Sequence, residues 1–404
     1  MSYLAGDFAF QKQKERPSHR ELVARARALK PLLEAHAAEA ELLRRSPDAV
    51  NDALTKAGMF RLLTPACFGG YGVDLRTVIE VTETMGEVDG SASWLVSVGS
   101  FAVWMIGQLC SPQAQDEVFG DCPDVRVAGT STPGAARRVD GGLRISGRWS
   151  YASGAYHADW ASLAVVVSDG SDEPVDAMFC VVPAKQLRLE TNWRTVGMRG
   201  TGSDTWLADD VFVPHYRTIP MSAIADETPR AADDESMFRL PFAPVAALLV
   251  VGPLLGLGNA ALKLVMDEAP TKAMHHTFFS RQSESAGVQI QIAEAALGLR
   301  TAQLHAYDIA ATLDEAANAG QLVTYAARAE TRARVGYLAQ QVLDAISVLV
   351  NVHGAGSFAE SNRLQQYWRD ANTAARHAGL QPVVGYEVYG KSLLGIQERI
   401  SPMV

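Results

Sequence analysis

The hydrophobic pattern of this chain changes its period twice. From Ser18 to about Gly120, apolar residues recur at three- and four-residue spacings, which predicts amphipathic helices. Between about Val125 and Pro214 the pattern changes to short β-rich runs divided by polar or glycine-bearing turns. From Pro244 to the end, long stretches rich in Ala, Leu and Gln return to the helical period. The predicted order is therefore helices, a β-domain, and helices again.

The β-rich runs define the middle of the chain. With 404 residues, 48% of them hydrophobic, the chain can bury a large core. We place an N-terminal helical domain at 1–124, a middle β-domain at 125–232 and a C-terminal helical bundle domain at 233–404. A sheet inserted between two helical blocks packs against both, and we expect the ligand site in the crevice where the three meet. The predicted strands are Val125–Thr130, Leu143–Tyr151, Trp160–Val167, Asp176–Val182 and Thr205–Val213.

Charge and cysteine usage exclude several classes of function. The formal net charge of −9 gives no basic face for a phosphate backbone, so we expect no nucleic acid partner. The four cysteines are scattered without CxxC spacing or a histidine cluster, which predicts neither a disulfide framework nor a metal site. The N-terminal residues lack the basic-then-apolar run of a signal peptide, so we expect a cytoplasmic protein.

One apolar segment, Val245 to Val265, has the length of a membrane span. It contains Pro253, Asn259 and Lys263, which are unfavourable in a bilayer. We interpret it as a buried bundle helix and expect no membrane partner.

Near the C-terminus, a glycine-rich turn precedes a helix that ends in Arg369-Asp370, within the block from His353 to Asp370. Together with Phe68-Gly-Gly-Tyr-Gly72 and the helix–sheet–helix order, this block resembles the acyl-CoA dehydrogenase superfamily over nearly the whole chain. The resemblance implies an α+β, mostly α fold, with an N-terminal helical domain, a middle β-domain and a C-terminal four-helix bundle.

This chain lacks a carboxylate that members of that superfamily often use as a base. The resemblance places the glutamate that often removes the substrate α-proton at Ala378, and His377 stands one residue earlier. Two further segments, Asp89-Gly-Ser-Ala-Ser-Trp94 and Gly147 to Trp160, are similar to the flavin-dependent monooxygenase branch, which includes two-component aromatic hydroxylases. The resemblance implies an oxygenase that uses reduced FMN (FMNH2) or FADH2 and O2. It also implies a separate NAD(P)H:flavin reductase, since no nicotinamide domain is recognised.

The resemblance also implies roles for individual residues. Ser153 would hydrogen-bond flavin N5, while Trp94, Tyr151 and Trp149 would supply apolar surface around the ring and protect a C4a-hydroperoxide from water. His377 would deprotonate a substrate hydroxyl, because an imidazole titrates near neutrality. Each residue also has a purely structural reading: Ser153-Gly154 as an ordinary turn, a strand tryptophan as core, and His377 as a helix cap.

Contacts to the rest of the flavin are also expected from the resemblance. Thr130 and Ser131 match a polar loop against the ring, while Arg281, assisted by Gln289, matches an arginine that reaches the phosphate of a neighbouring subunit. Arg281 alone would equally suit a solvated surface arginine. Gly354 and Gly356 would let the backbone approach the cofactor of the adjacent chain, which implies a homotetramer.

The resemblance defines the substrate less closely than the cofactor. Some hydroxylases of this branch carry a second histidine about two turns after the tryptophan, but here Trp94 is followed by Ser100-Phe-Ala-Val-Trp104. Phe101, Trp104 and Met105 would line an apolar pocket for a polycyclic, polyketide-like or indolic aromatic. The alternatives are an N- or S-oxygenase on the same fold, an acyl-CoA dehydrogenase-like enzyme, and a noncatalytic flavin-binding protein.

Overall fold

The structure, a computed structural model, describes residues 16–168, 175–225, 235–401 and 404. Within these ranges the order is the predicted one, with helices first, a sheet in the middle and long helices at the end. The boundary predicted at residue 232 lies outside the described residues.

The N-terminal block forms five α-helices with side-chain caps at several starts. Ser18 and Glu21 form a capping box at α1, Asp74 caps α3, and Asp89 caps α4 by accepting from the backbone N–H of Ala92 at 3.0 Å. These short polar side chains satisfy backbone donors that the first helical turn leaves free. The helices are α1 (His19–Leu43), α2 (Asp48–Lys56), α3 (Leu75–Gly86), α4 (Gly90–Leu109) and α5 (Pro112–Phe119).

The middle block forms a seven-stranded sheet in the order β5-β6-β2-β1-β3-β4-β7. Strands β1 and β3 pair in parallel, and the other neighbouring pairs are antiparallel. The five predicted strands are all present, while the two edge strands of three residues each were missed because so short a run carries no period. The strands are β1 (Val127–Val139), β2 (Gly142–Ala152), β3 (Trp160–Ser168), β4 (Asp176–Pro183), β5 (Arg188–Glu190), β6 (Asp204–Pro214) and β7 (Thr218–Pro220).

In the C-terminal block, α8, α9 and α10 pack side by side, α11 packs against α8, and α12 packs against α10. The segment predicted as one buried helix is divided into α7 and α8, because Pro253 has no N–H to donate to the carbonyl of Leu249. The hydroxyl of Ser97 on α4 donates to that carbonyl instead. The helices, after the short α6 (Met221–Ala225), are α7 (Phe242–Leu248), α8 (Val251–Glu268), α9 (Ala286–Ala319), α10 (Tyr325–His353), α11 (Arg363–Ala374) and α12 (Pro382–Leu393).

The two helical blocks share one hydrophobic core. A single cluster of buried side chains runs from Leu22 on α1 to Leu380 near the C-terminus and includes Val127, Val181 and Ile219 from one face of the sheet. A second cluster, with Trp149 and Leu163, lies within the β-domain. The sheet therefore packs one face on the joined helices, which brings residues of all three blocks to one place.

Three segments of the described chain are long and apolar enough to cross a membrane by composition: Gly90–Leu109, Phe242–Glu268 and Tyr325–His353. Of their most apolar windows, 67%, 83% and 61% are buried inside the protein. Their apolar surface is thus largely covered by other helices of the same chain, as the buried-helix interpretation of Val245 to Val265 expects.

Candidate active site

Three residues that are far apart in the sequence meet at the junction of the three blocks. Trp94 lies on α4, Ser153 in the turn after β2, and His377 in the turn after α11. The indole N–H of Trp94 donates to the hydroxyl of Ser153 at 3.3 Å. The rings of Trp94 and His377 meet edge to face, with 5.6 Å between their centroids. The structure thus brings together three of the predicted site residues.

His377 occupies a turn that a buried arginine holds in place. Helix α11 does not end at Asp370 as predicted but continues to Ala374, and His377 follows as the N-cap of a short 3-10 turn at Ala378–Leu380. Nδ1 of the imidazole accepts from the backbone N–H of Gly379 at 3.2 Å. The guanidinium of Arg332, on α10, donates to the carbonyls of Ala378 and Gly379. His377 is therefore a cap as well as a candidate site residue.

The side chain of His377 is exposed, yet protein atoms surround its ring closely enough to desolvate it. This desolvation is the largest cause that lowers its pKa to about 4, followed by the positive charge of Arg332. A group with both properties lies on the wall of a cleft and not on a convex surface. The ring is therefore neutral at physiological pH. Because Nδ1 accepts from Gly379, the neutral ring carries its hydrogen on Nε2.

Ala378 occupies the position that the resemblance assigned to a carboxylate base. Ala378 is exposed. No acidic residue in the described part of the chain is among the groups that shift the pKa of His377. A carboxylate close to the ring would raise that pKa instead. Among the described residues, therefore, no carboxylate acts on the ring of His377, and position 378 itself carries none.

Ser153 belongs to a tight turn with hydroxyl partners that the sequence analysis missed. Gly154 adopts φ +79°, which favours glycine, and its N–H donates to the carbonyl of Thr201 at 2.9 Å. The hydroxyl of Ser153 lies 2.7 Å from that of Ser203, which in turn lies 2.7 Å from that of Thr201. Small polar residues in Gly200-Thr-Gly-Ser203 were the available signal, but such a turn is common.

The residues expected along the flavin ring take different positions. Tyr151 is 68% exposed at φ 66°, and its ring meets Trp193 edge to face at 6.2 Å. Thr130 donates to the carbonyl of Ser150 at 2.8 Å, and Ser131 is exposed where the β1–β3 pairing changes register. Trp149 is fully buried within the sheet and donates to the carbonyl of Ala164, so it does not present surface to a cofactor.

The three residues expected to line a substrate pocket differ from one another in how deeply they are buried. Phe101 is partly buried and meets the ring of Phe242 at 5.1 Å between centroids. Trp104 is 0% exposed and donates to the carbonyl of Met237, and Met105 is 2% exposed. Trp104 and Met105 are therefore core residues, while Phe101, one turn earlier on the same face of α4, is only partly buried.

The residues expected to hold the distal part of a flavin lie in the C-terminal block, Gln289 on α9 and the other three in the turns that precede α9 and follow α10. Arg281 bonds Glu284 at 3.0 Å, and Gln289 donates to the carbonyl of Ser283. Gly354 has φ +84°, with open space where a side chain would stand, and Gly356 lies beside the imidazole of His353. Within the ranges that the structure describes, none of the four contacts Trp94, Ser153 or His377. They remain predictions for a contact between subunits.

Two features beside Ser153 suit a flat ligand. Tyr151 keeps a left-handed backbone conformation, which costs about 1–3 kcal/mol in a non-glycine residue, while most of its ring faces solvent. Gly129 and Ser131 are exposed in the interior of β1, between the buried Ala128 and Ala136. Thr130, between these two residues, donates to the carbonyl of Ser150, three positions before Ser153, so this part of β1 lies close to the turn that carries Ser153.

Comparison with known proteins agrees with this fold and site. Residues 16–122 match the family model for the acyl-CoA dehydrogenase N-terminal domain, and residues 248–382 match that for the C-terminal domain. A solved structure of XiaF from Streptomyces, in complex with FADH2 and glycerol, superposes with a TM-score of 0.91. It is 36% identical, and the match covers 96% of this chain and 97% of that one.

Two curated relatives are similar over nearly their full length. The oxygenase subunit HsaA of a flavin-dependent monooxygenase from Rhodococcus jostii is 30% identical, over 91% of this chain and 97% of the relative. The oxygenase component of an FADH2-dependent resorcinol hydroxylase from Rhizobium is 28% identical, over 94% of this chain and 96% of the relative.

The fold and the site define a member of the acyl-CoA dehydrogenase family, to which the chain belongs. Within that family it is the oxygenase component of a flavin-dependent monooxygenase, an oxidoreductase that uses reduced flavin. The family, the fold and the enzyme class inferred from the sequence are confirmed.

Proposed function

We propose that the enzyme hydroxylates an aromatic substrate, using reduced flavin delivered by a separate NAD(P)H:flavin reductase in the cytoplasm. The observation that carries this proposal is the meeting of Trp94, Ser153 and His377 in a recess where Ala378 replaces a base for dehydrogenation. The names of the relatives, which are oxygenase subunits or components, support the separate reductase.

Ser153 and Trp94 form the flavin side of the proposed site. When bound, reduced flavin supplies the two electrons that activate O2 for transfer of one oxygen atom to the substrate. Ser153 would accept a hydrogen bond from flavin N5–H, and the indole N–H of Trp94, 3.3 Å from the same hydroxyl, holds it in place. The apolar body of Trp94 excludes water from one side of the recess.

His377 forms the substrate side. The resemblance implies a base at this position, but a neutral ring with its hydrogen on Nε2 offers a donor, while Nδ1 accepts from Gly379. We therefore propose that the substrate hydroxyl releases its proton to solvent as it binds and that Nε2–H donates to the resulting oxyanion and stabilises it. An ionised hydroxyl makes the aromatic ring richer in electrons, which favours its attack on activated oxygen.

FADH2 is the proposed flavin, and a substrate larger than a simple phenol is the proposed acceptor. The name of the resorcinol hydroxylase relative and the bound FADH2 of the Streptomyces structure support the first choice over FMNH2. The aromatic surface at Phe101 and Phe242 supports the second, with polycyclic or indolic compounds as candidates. Open space at Gly354 supports the close approach of a second chain in a homotetramer.

The test mixes the purified protein anaerobically with FADH2 or FMNH2, adds aromatic substrates and air, and measures product and hydrogen peroxide. We expect product with FADH2 and at least one hydroxylated aromatic compound. Ser153→Ala should shift the yield from product to peroxide. Ser347→Ala is the matched control, because among the described residues its hydroxyl bonds within α10 alone, to the carbonyl of Leu343. Reduction of bound flavin by an acyl-CoA, without any oxygenated product, would refute the proposal.

A further inference from the structure

A chain of three hydroxyls connects Ser153 to a backbone carbonyl. Ser153 Oγ lies 2.7 Å from Ser203 Oγ, and Ser203 Oγ lies 2.7 Å from Thr201 Oγ1. Thr201 Oγ1 lies 2.8 Å from the carbonyl oxygen of Met198, which can only accept. Each of these oxygen–oxygen distances is that of a normal hydrogen bond and requires one hydrogen between the two atoms.

The hydrogens of the chain can be counted. Three contacts require three hydrogens, and the three hydroxyls supply three. Thr201 must donate to Met198, so Ser203 must donate to Thr201, and Ser153 must donate to Ser203. The opposite direction would leave two oxygens 2.8 Å apart with no hydrogen between them.

The same count fixes what Ser153 can offer a ligand. A hydroxyl oxygen has one hydrogen and two lone pairs. The hydrogen goes to Ser203, and one lone pair accepts from the indole N–H of Trp94. Among the described residues, no other group bonds the Ser153 hydroxyl. One lone pair therefore remains, and Ser153 is an acceptor only.

The surroundings keep the chain in this direction. Thr201 is 2% exposed and Ser203 is 5% exposed, so bulk water has little access to supply another hydrogen. The carbonyl of Met198 is held by the indole N–H of Trp193 at 2.9 Å, and the N–H of Met198 donates to Asp370. Gly197 presses so closely on α11 that an added side chain would lie 2.2 Å from the carbonyl of Arg369.

We propose that Ser203 and Thr201 are positioning residues that make Ser153 select the reduced flavin over the oxidised one. This inference rests on the proposed placement of Ser153 at flavin N5. Reduced flavin carries a hydrogen on N5 and can donate to the free lone pair of Ser153. Oxidised flavin presents a lone pair at N5, so two acceptors face each other and one hydrogen bond is lost. An enzyme that exchanges flavin with a reductase benefits, because the oxidised form leaves after turnover.

The test measures dissociation constants of reduced and oxidised FAD anaerobically for the full-length protein. Ser203→Ala frees the hydrogen of Ser153 to donate to oxidised N5, so the preference for reduced FAD should fall about tenfold, the effect of one ordinary hydrogen bond. The reduction potential of bound FAD should fall by about 30 mV, which corresponds to the same tenfold change for a two-electron couple. Thr201→Val should act in the same direction, and Thr201→Ser, which keeps the hydroxyl, should change neither value.

Ser153→Ala separates this inference from the placement on which it rests. If Ser153→Ala leaves the preference unchanged, Ser153 does not contact N5, and the proposed flavin placement is wrong. If Ser153→Ala lowers the preference but folded Ser203→Ala and Thr201→Val do not, the hydroxyl chain has no such role. A higher preference in Ser203→Ala would mean that the chain runs in the opposite direction, which also refutes the inference. In the Ser153→Ala background, Ser203→Ala should have no further effect.

Discussion

The carboxylate of Asp370 on α11 accepts a hydrogen bond from the backbone N–H of Met198, 172 positions earlier in the chain. Beside it, Arg369 bonds Glu41 on α1 and the carbonyl of Val196. The Arg-Asp pair that marks the family in the sequence therefore fixes the loop that carries the hydroxyl chain to Ser153. Its role is to join the C-terminal helices to the β-domain at the edge of the site.

The buried carboxyl of Asp370 predicts a pH-dependent stability. Burial raises its pKa to about 7, from an ordinary value of 3.8. The folded protein thus keeps a proton between about pH 4 and 7 that the unfolded chain releases, and this stabilisation is lost as the pH rises through about 7. Asp370→Asn keeps an oxygen that can accept from Met198 and removes the titration. We expect the variant to gain free energy of unfolding relative to wild type from about pH 5 to about pH 8. Urea unfolding measures the difference in free energy of unfolding between the variant and wild type. If that difference is the same at about pH 5 and about pH 8, the prediction is wrong.

His377 should stay neutral through the physiological range. Because burial and Arg332 lower its pKa to about 4, protonation should begin only below about pH 5. Product formation should therefore show no loss between about pH 8 and 6 that depends on His377. Titration of the imidazole by NMR checks the assignment. A His377 resonance that titrates near neutrality would show that the recess does not desolvate the ring.

Two substitutions of His377 distinguish a donor from a base. Glutamine carries an amide N–H near the place of the imidazole Nε2, whereas asparagine is shorter and places its amide near Nδ1. We expect His377→Asn to keep flavin affinity and lose product by about a hundredfold, the effect of one preorganised donor. His377→Gln should retain clearly more activity. Equal loss in both variants would favour a base role, because neither amide can take up a proton.

Arg332 should control both the turn and the charge state of His377. Its guanidinium spans the carbonyls of Ala378 and Gly379, which a single ammonium group cannot do with the same geometry. Arg332→Lys should lower the free energy of unfolding by about 2–3 kcal/mol through the lost charged hydrogen bond. Arg332→Met should also raise the pKa of His377, because a positive charge is removed. An unchanged imidazole titration in Arg332→Met would contradict the second part.

The aromatic residues of α4 should divide into ligand contact and core. Phe101→Ala should raise the KM for an aromatic substrate with little loss of stability, since its ring is only partly buried. Trp104→Phe should lower the free energy of unfolding by about 1–3 kcal/mol, because the carbonyl of Met237 loses its donor. Its KM should stay near the wild-type value. If Trp104→Phe raises the KM and Phe101→Ala does not, Trp104 contacts the substrate and this division is wrong.

Much of the fold follows from local pattern. The period of the apolar residues predicted helices between Ser18 and about Gly120 and the five long strands, because each element buries one face and must repeat its apolar residues at its own spacing. The break between α7 and α8 also had a local cause in Pro253, although the sequence analysis predicted a single helix. The sharing of one core by both helical blocks had no local signal, since it depends on which faces meet.

The sequence by itself determined the order of helices and strands, the absence of a carboxylate at position 378 and, through its motifs, the candidates Trp94, Ser153 and His377. Only the tertiary structure decided that these three meet, that Trp104 belongs to the core and that Arg332 and Ser203 serve the site. The direction of the hydroxyl chain and the low pKa of His377 arise from neighbours that are distant in the sequence. Such properties depend on distances between side chains across the folded core, and these are fixed only when the three blocks pack together.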